Sequence, residues 1–159
     1  MSHLQCYCYD GFGVDKKSEL WYSQAVRVGD RIERSGQGRR LYIPHIEHTR
    51  TYTFLLDTSS KIPEDLDEEV EQAFANVEHN LKHAGGKGWC QVFRVNLYLT
   101  DINEQAVIAS VRNLKKWMPN HQPLLTCIGV NQLGLPGMRV EVEVSAHDED
   151  FVKAATAAK

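Results

Sequence analysis

Apolar and polar positions along the chain fall into two periods, and each period marks its own kind of element. Between residues 64 and 84, Leu66, Val70, Phe74, Val77 and Leu81 recur at steps of 4, 4, 3 and 4, which lays one apolar stripe along an α-helix. Its ends agree with that reading. Glu64, Asp65 and Asp67 follow Pro63 in the first turn, Lys82 and His83 lie in the last, and Gly85 and Gly86 come after, as capping and the helix dipole favour. A second helix is predicted after the capping residues at 101–103. Val107, Val111, Leu114 and Met118 form its stripe, Lys115 and Lys116 its last turn, and Pro119 stops it.

The period of two appears elsewhere. Residues 22–28 and 31–36 alternate on either side of Gly29 and Asp30, which predicts a hairpin. Across 89–100, Trp89, Gln91, Phe93, Val95, Leu97 and Leu99 share one face of a long strand. Two further strands, 124–130 and 138–146, are joined by the Leu-Gly-Leu-Pro-Gly stretch at 133–137. In the second of them Val140, Val142, Val144 and Ala146 face one way, and Arg139, Glu141, Glu143 and Ser145 the other.

The predicted order is β-β-insert-α-β-α-β-β, an α/β (α+β) protein with a mixed sheet and both helices packed on one face. The chain reads as one domain, residues 1–159, with its core at about 20–146. Two helices leave the other sheet face uncovered. Subunit association is the simplest closure, with any cleft lying between subunits. The stretch 39–61 stands apart as an insert at about 38–61; β-rich pieces at 41–43 and 51–56 make it an extra hairpin or a loop.

Composition narrows the function classes. With 18 Lys+Arg against 21 Asp+Glu and 42% hydrophobic residues, this is an ordinary globular composition with no global attraction for nucleic acid. The opening residues lack a basic and apolar leader pattern, and no apolar run approaches a membrane span. The expected compartment is the cytoplasm, with the mitochondrion left open. Cys6, Cys8, Cys90 and Cys127 are expected to be reduced thiols.

Candidate chemistry is sparse. His79 and His83 stand four apart on the first helix, but no third ligand is signalled, and His45/His48 and Cys6/Cys8 share that weakness. No metal site is expected. Six acids in the eight residues 64–71 read as a solvated helix face. Six arginines against three acids between positions 27 and 50, with Tyr42 and Tyr52 interleaved, give a weak nucleic-acid hint. There is no P-loop, no GxGxxG and no GxSxG elbow. What remains is a polar set on strands, Tyr22, Ser35, Cys127 and Glu141, which spacing alone does not assemble.

Several stretches taken together resemble the RidA/YjgF-type reactive intermediate deaminase family. They are Tyr22-Ser-Gln-Ala-Val-Arg-Val-Gly-Asp-Arg-Ile with Ser35-Gly-Gln37, Ile62-Pro-Glu-Asp-Leu66 into Glu71-Gln-Ala-Phe-Ala-Asn-Val-Glu-His-Asn-Leu81, Asn96-Leu-Tyr-Leu-Thr-Asp101, and Val140-Glu-Val-Glu-Val-Ser-Ala146. The resemblance implies a chorismate-mutase-like fold and a homotrimer with ligand clefts at its subunit interfaces. It further implies hydrolysis of enamines and imines, of the 2-iminobutanoate/2-iminopropanoate type, without metal or cofactor. By position the resemblance implies that Tyr22 and Ser35 line the cleft, with Leu125 and Arg139 as further substrate-binding positions, that Cys127 contributes to catalysis near the ligand, and that Glu141 orients or activates the attacking water.

One departure bears on substrate. Deaminases of the family carry an arginine two positions before the cysteine, whose planar fork grips the substrate carboxylate; here that residue is Leu125. Arg139, His121 or an arginine of the insert are the candidates to take its place. The resulting expectations are a cofactor-free deaminase with altered substrate choice, or alternatively a non-catalytic trimer that binds a small molecule or a partner. Ribonuclease activity, reported for some family members, is the weakest reading.

Overall fold

The computed structural model describes residues 3–38 and 64–151. The insert pieces, His45, His48, Arg39, Arg40, Arg50 and the tail from 152 lie outside the described residues. The elements run β1 (Gln5–Tyr7), α1 (Phe12–Leu20), β2 (Ala25–Val28), β3 (Arg31–Gln37), α2 (Leu66–His83), a 3₁₀ turn (Trp89–Gln91), β4 (Val92–Leu99), α3 (Glu104–Trp117), β5 (Leu124–Gly129) and β6 (Val140–His147). They build one six-stranded sheet in the order β1-β2-β3-β6-β4-β5. Every neighbouring pair is antiparallel except β4 and β5, which α3 connects as a parallel crossover.

The first predicted helix, α2, forms as its stripe requires. Val70, Phe74, Val77 and Leu81 of α2 are fully buried, and the helix lies against β3 and β6, whose inward residues Ile32, Val140, Val142, Val144 and Ala146 complete the core. Each such side chain contributes about 1.5–3 kcal/mol by leaving water. Trp89 seals one end, stacked on Phe74 at 4.9 Å with its indole N–H donating to the Phe74 carbonyl at 3.0 Å. At the other end Asp65 is the N-cap, its carboxylate accepting from the Asp67 amide at 2.9 Å. Asp65→Ala is expected to cost about 1 kcal/mol, read from urea melts at fixed protein concentration.

Three features depart from the sequence expectation. The N-terminal stretch, which has no clear period, forms β1 and α1, so the sheet gains a sixth strand and the described residues a third helix. Trp89 and Gln91 belong to a 3₁₀ turn rather than to the strand, and the register shift between Val92 and Arg94 leaves Phe93 as an extra residue opposite β6. That bulge turns Val92 inward and puts Phe93 out of the buried face.

The third departure is in α3. Its predicted stripe is half wrong: Val107 and Val111 are exposed, as is Ile108, while Ala106, Ala109, Ser110 and Asn113 are buried where α3 packs on α2. Small side chains allow the two helices to approach closely. The Ser110 hydroxyl donates to the Ala106 carbonyl and the Asn113 amide to that of Ala109, so these polar groups are buried with a local partner. None of the helices among the described residues is long and apolar enough to cross a membrane.

Candidate functional site

The open face of the sheet carries Glu141 and Glu143, which alternate with the buried valines of β6. Antiparallel register sets Glu141 opposite Tyr98 and Glu143 opposite Asn96. The Tyr98 hydroxyl and the Asn96 amide both donate to Glu143 Oε2, at 2.7 and 3.2 Å. Glu141 accepts no such bond among those described. Burial pushes its carboxyl above the usual carboxylate range, and the negative charge of Glu143 adds to the shift.

The Ser-Gly-Gln segment supplies the wall beside Glu141. Arg34 pairs with Val144 and Gln37 with Val142, so Ser35 and Gly36 together stand against Glu143 alone. This is a β-bulge, a device that re-aims the residues it contains. A Cβ added at Gly36 would sit 1.8 Å from Glu141 Oε1 and 2.7 Å from its Cγ, so only glycine leaves the carboxylate where it is. Gly36→Ala forces the Glu141 side chain aside, and a flexible side chain can move at small cost in stability. The expected outcome is a large loss of any activity that uses Glu141 with a melting temperature close to wild type.

A buried polar network holds the bulge from behind. The Gln37 amide donates to Gln24 Oε1 at 2.8 Å and to the Gly36 carbonyl at 3.0 Å. Ser35 donates its hydroxyl to the Gln24 carbonyl at 3.2 Å, and Gln24 donates to the Tyr22 hydroxyl at 3.0 Å. Asn80 also donates to the Gln24 carbonyl, at 3.3 Å. Beside this network lies Arg34, only 3% exposed, reaching just the Asn76 carbonyl at 3.5 Å, with Nε and Nη1 unpartnered. Burial pulls its pKa down to about 9.

Tyr22, Ser35 and Glu141 are thus linked through Gln24 and Gly36. The other sequence candidates lie elsewhere. Leu125 pairs in register with Val95, and Cys127 with Leu97, both inward-facing residues, so they belong to the sheet face opposite to that of Glu141. Two strand spacings, roughly 10 Å, also separate β5 from β6. Within one chain Cys127 and Glu141 do not meet. Burial raises the Cys127 thiol pKa, which keeps it protonated at neutral pH and unsuited to act as a thiolate nucleophile.

The basic candidates are committed. Arg139 donates through its amide and its Nε to the two oxygens of Glu69, at 2.8 and 2.7 Å, and through Nη1 to the Glu64 carbonyl. Glu69 is fully buried, which corrects the reading of the 64–71 acids as a wholly solvated face. His121 bonds the Val92 carbonyl at 2.8 Å. The Arg27 to Arg50 run also loses its character as a surface patch among the described residues, since Arg27 is buried against Asp148 at 3.0 Å and Arg34 is buried too. All four cysteines are free thiols, and the described residues hold no group of three or more metal-ligating side chains.

Sequence reasoning missed the roles of Gln24, Gln37, Asn80, Tyr98 and Glu143. No local pattern marks Gln24 or Gln37, because the strands beside them also carry Arg27, Glu33 and Arg34.

The family model of endoribonuclease L-PSP matches residues 15–148. Protein HMF1 of Saccharomyces cerevisiae is 30% identical over 130 residues, covering 81% of this chain and 85% of that protein. A 2-iminobutanoate/2-iminopropanoate deaminase of Dermatophagoides farinae is 27% identical over 122 residues, covering 77% of this chain and 81% of the relative. Among solved structures, a Mycobacterium tuberculosis member of the YjgF/YER057c/UK114 family superposes with a TM-score of 0.67 at 20% identity, over 91% of this chain and 98% of its own. The architecture is the chorismate-mutase-like one of that group.

Proposed function

The chain belongs to the endoribonuclease L-PSP family, the YjgF/RidA group, and on that premise we propose that it is a hydrolytic deaminase of small enamines and imines, working without a cofactor. The observation that carries the reading is the half-buried Glu141 carboxylate, raised in pKa and set against Gly36 on the strand that also bears Glu143. A carboxylate whose pKa is raised is a stronger general base for water than an ordinary one, and its conjugate acid can return the proton later in the reaction. The relative named as an imine deaminase supports the same chemistry.

The working unit in this proposal is a homotrimer with its clefts between subunits. Glu141, Ser35 and Tyr22 of one copy face β5 of the next, which brings Leu125 and Cys127 to the ligand. Exposed apolar side chains support an interface there: Leu124, Leu125 and Ile128 on β5, and Val107, Ile108 and Val111 on α3. Cys127 serves as a neutral thiol lining the cleft, and Leu125 as an apolar wall.

The test is hydrolysis of a panel of small imines generated in situ, followed by ammonia and carbonyl release. Acceleration well above buffer supports the deaminase reading. Rates equal to buffer for every imine would reject it and favour the second reading, a non-catalytic trimer that binds a small molecule, to which the apolar Leu125 lends support.

A further inference from the structure

The charges that face the proposed cleft decide which imines it takes, a selectivity that rests on the deaminase reading. Glu141 shares its sheet face with Glu143, and the two groups nearest them in the ladder, Tyr98 and Asn96, are neutral donors already turned to Glu143. The described arginines are occupied or distant. Arg139 is held by Glu69, Arg34 is buried beneath α2, Arg27 is paired with Asp148, and Arg31 is paired with Glu33 at 2.7 Å. Arg94 is on the open face in register with Ser145, four residues and about 13 Å along the ladder from Glu141. The strand that bears Cys127 reads Leu-Leu-Thr-Cys-Ile-Gly and carries no charge; Leu124, Leu125 and Ile128 are 63%, 48% and 41% exposed.

We propose that this site takes carboxylate-free imines with an apolar substituent, R–CH=NH₂⁺, in preference to 2-imino acids. An iminium cation is attracted by Glu141 and Glu143, and its alkyl group is accommodated by Leu125, which shares its strand face with Cys127. A 2-imino acid of the same side chain would bring a further negative charge beside two carboxylates and desolvate it against Leu125. Repulsion of this kind in a partly buried site corresponds to a discrimination of at least about tenfold.

The reaction balances without a further reactant. Water attacks the imine carbon as the C=N electron pair moves to nitrogen, and Glu141 takes the proton released by the water. Glu141 then passes that proton to the amino nitrogen of the carbinolamine. The C–N bond breaks, its electron pair leaving with ammonia, as the ionised Glu141 takes the hydroxyl proton and the O–H electrons form the carbonyl; Glu141 hands that proton to the departing ammonia, and the products are R–CHO and NH₄⁺.

Two imines with one side chain separate the possibilities. An amine oxidase acting on 3-methylbutylamine releases 3-methylbutan-1-imine, and an L-amino-acid oxidase acting on leucine releases 4-methyl-2-iminopentanoate. At equal imine flux, the expected result is at least about tenfold greater acceleration for the carboxylate-free imine. Equal acceleration, or preference for the imino acid, overturns the inference and leaves the deaminase reading standing. No acceleration of either, or of any other imine in the panel, overturns both. Leu125→Arg is expected to reverse the preference by supplying a bidentate carboxylate partner, and an unchanged ratio in that variant would also count against the proposal.

Discussion

Glu141→Gln is expected to lower imine hydrolysis by about 10²–10⁴-fold, the range that a positioned general base supplies, without lowering the melting temperature. The amide has nearly the shape of the carboxyl group and fits the space beside Gly36, but it cannot take a proton from water. Stability should move the other way from activity. Because burial and Glu143 raise the folded-state pKa of Glu141, the fold favours the protonated group; that contribution is fully present below the unfolded pKa and is lost as pH rises through the raised one. At neutral pH the wild-type chain therefore holds an unfavourable charge that the glutamine removes, so the variant should melt at a higher temperature. Wild-type activity should climb with pH through the raised pKa as the base ionises. Imine hydrolysis rates, calorimetry and a pH-rate profile check the three expectations, and retained hydrolysis would remove Glu141 from the mechanism.

Arg139→Leu is expected to destabilise the protein by about 3 kcal/mol, because it leaves the fully buried Glu69 carboxylate with only a backbone amide for company. For a domain of this size that corresponds to roughly 6–12 °C in Tm. The guanidinium ties the start of β6 to Glu69 in the first turn of α2 and also donates to the Glu64 carbonyl just ahead of that helix. Replacing both partners, Glu69→Leu with Arg139→Leu, should restore part of the loss, since an apolar pair leaves no uncompensated charge. Urea melts of the single and double variants give the comparison. A raised KM with unchanged stability would instead assign Arg139 to the ligand.

How far these features are legible in the sequence depends on how local their causes are. The stripe and caps of α2 and the alternation of β6 are set by neighbours within a few residues, and both appear as predicted. The orientation of α3 is not local. Periodicity reveals that Val107 and Val111 share a side with Leu114, yet the choice between that side and the small-residue side at Ala106, Ala109 and Ser110 is made by α2. The Glu69–Arg139 pair joins positions 70 apart, and the bulge at Ser35 and Gly36 exists only through its pairing with β6. The alternation of β6 alone places Glu141 and Glu143 on one face and the family resemblance gives Glu141 its role, whereas Asn96 and Tyr98 join them only through the pairing of β4 with β6.

The position of β6 has a consequence for biosynthesis. It comes last among the described strands, yet it occupies the middle of the sheet, between β3 and β4. Its partners at Arg34 and Val95 are made long before Val144. Until β6 leaves the ribosome, both of those strands present an unpaired edge and an open slot where Val140, Val142 and Val144 belong. The sheet is closed, and Glu141 delivered to its site, in one late and nonlocal step. A nascent chain stalled before this strand should therefore be a protease-sensitive chaperone client, and chains released after it should become resistant together with gaining the carboxylate.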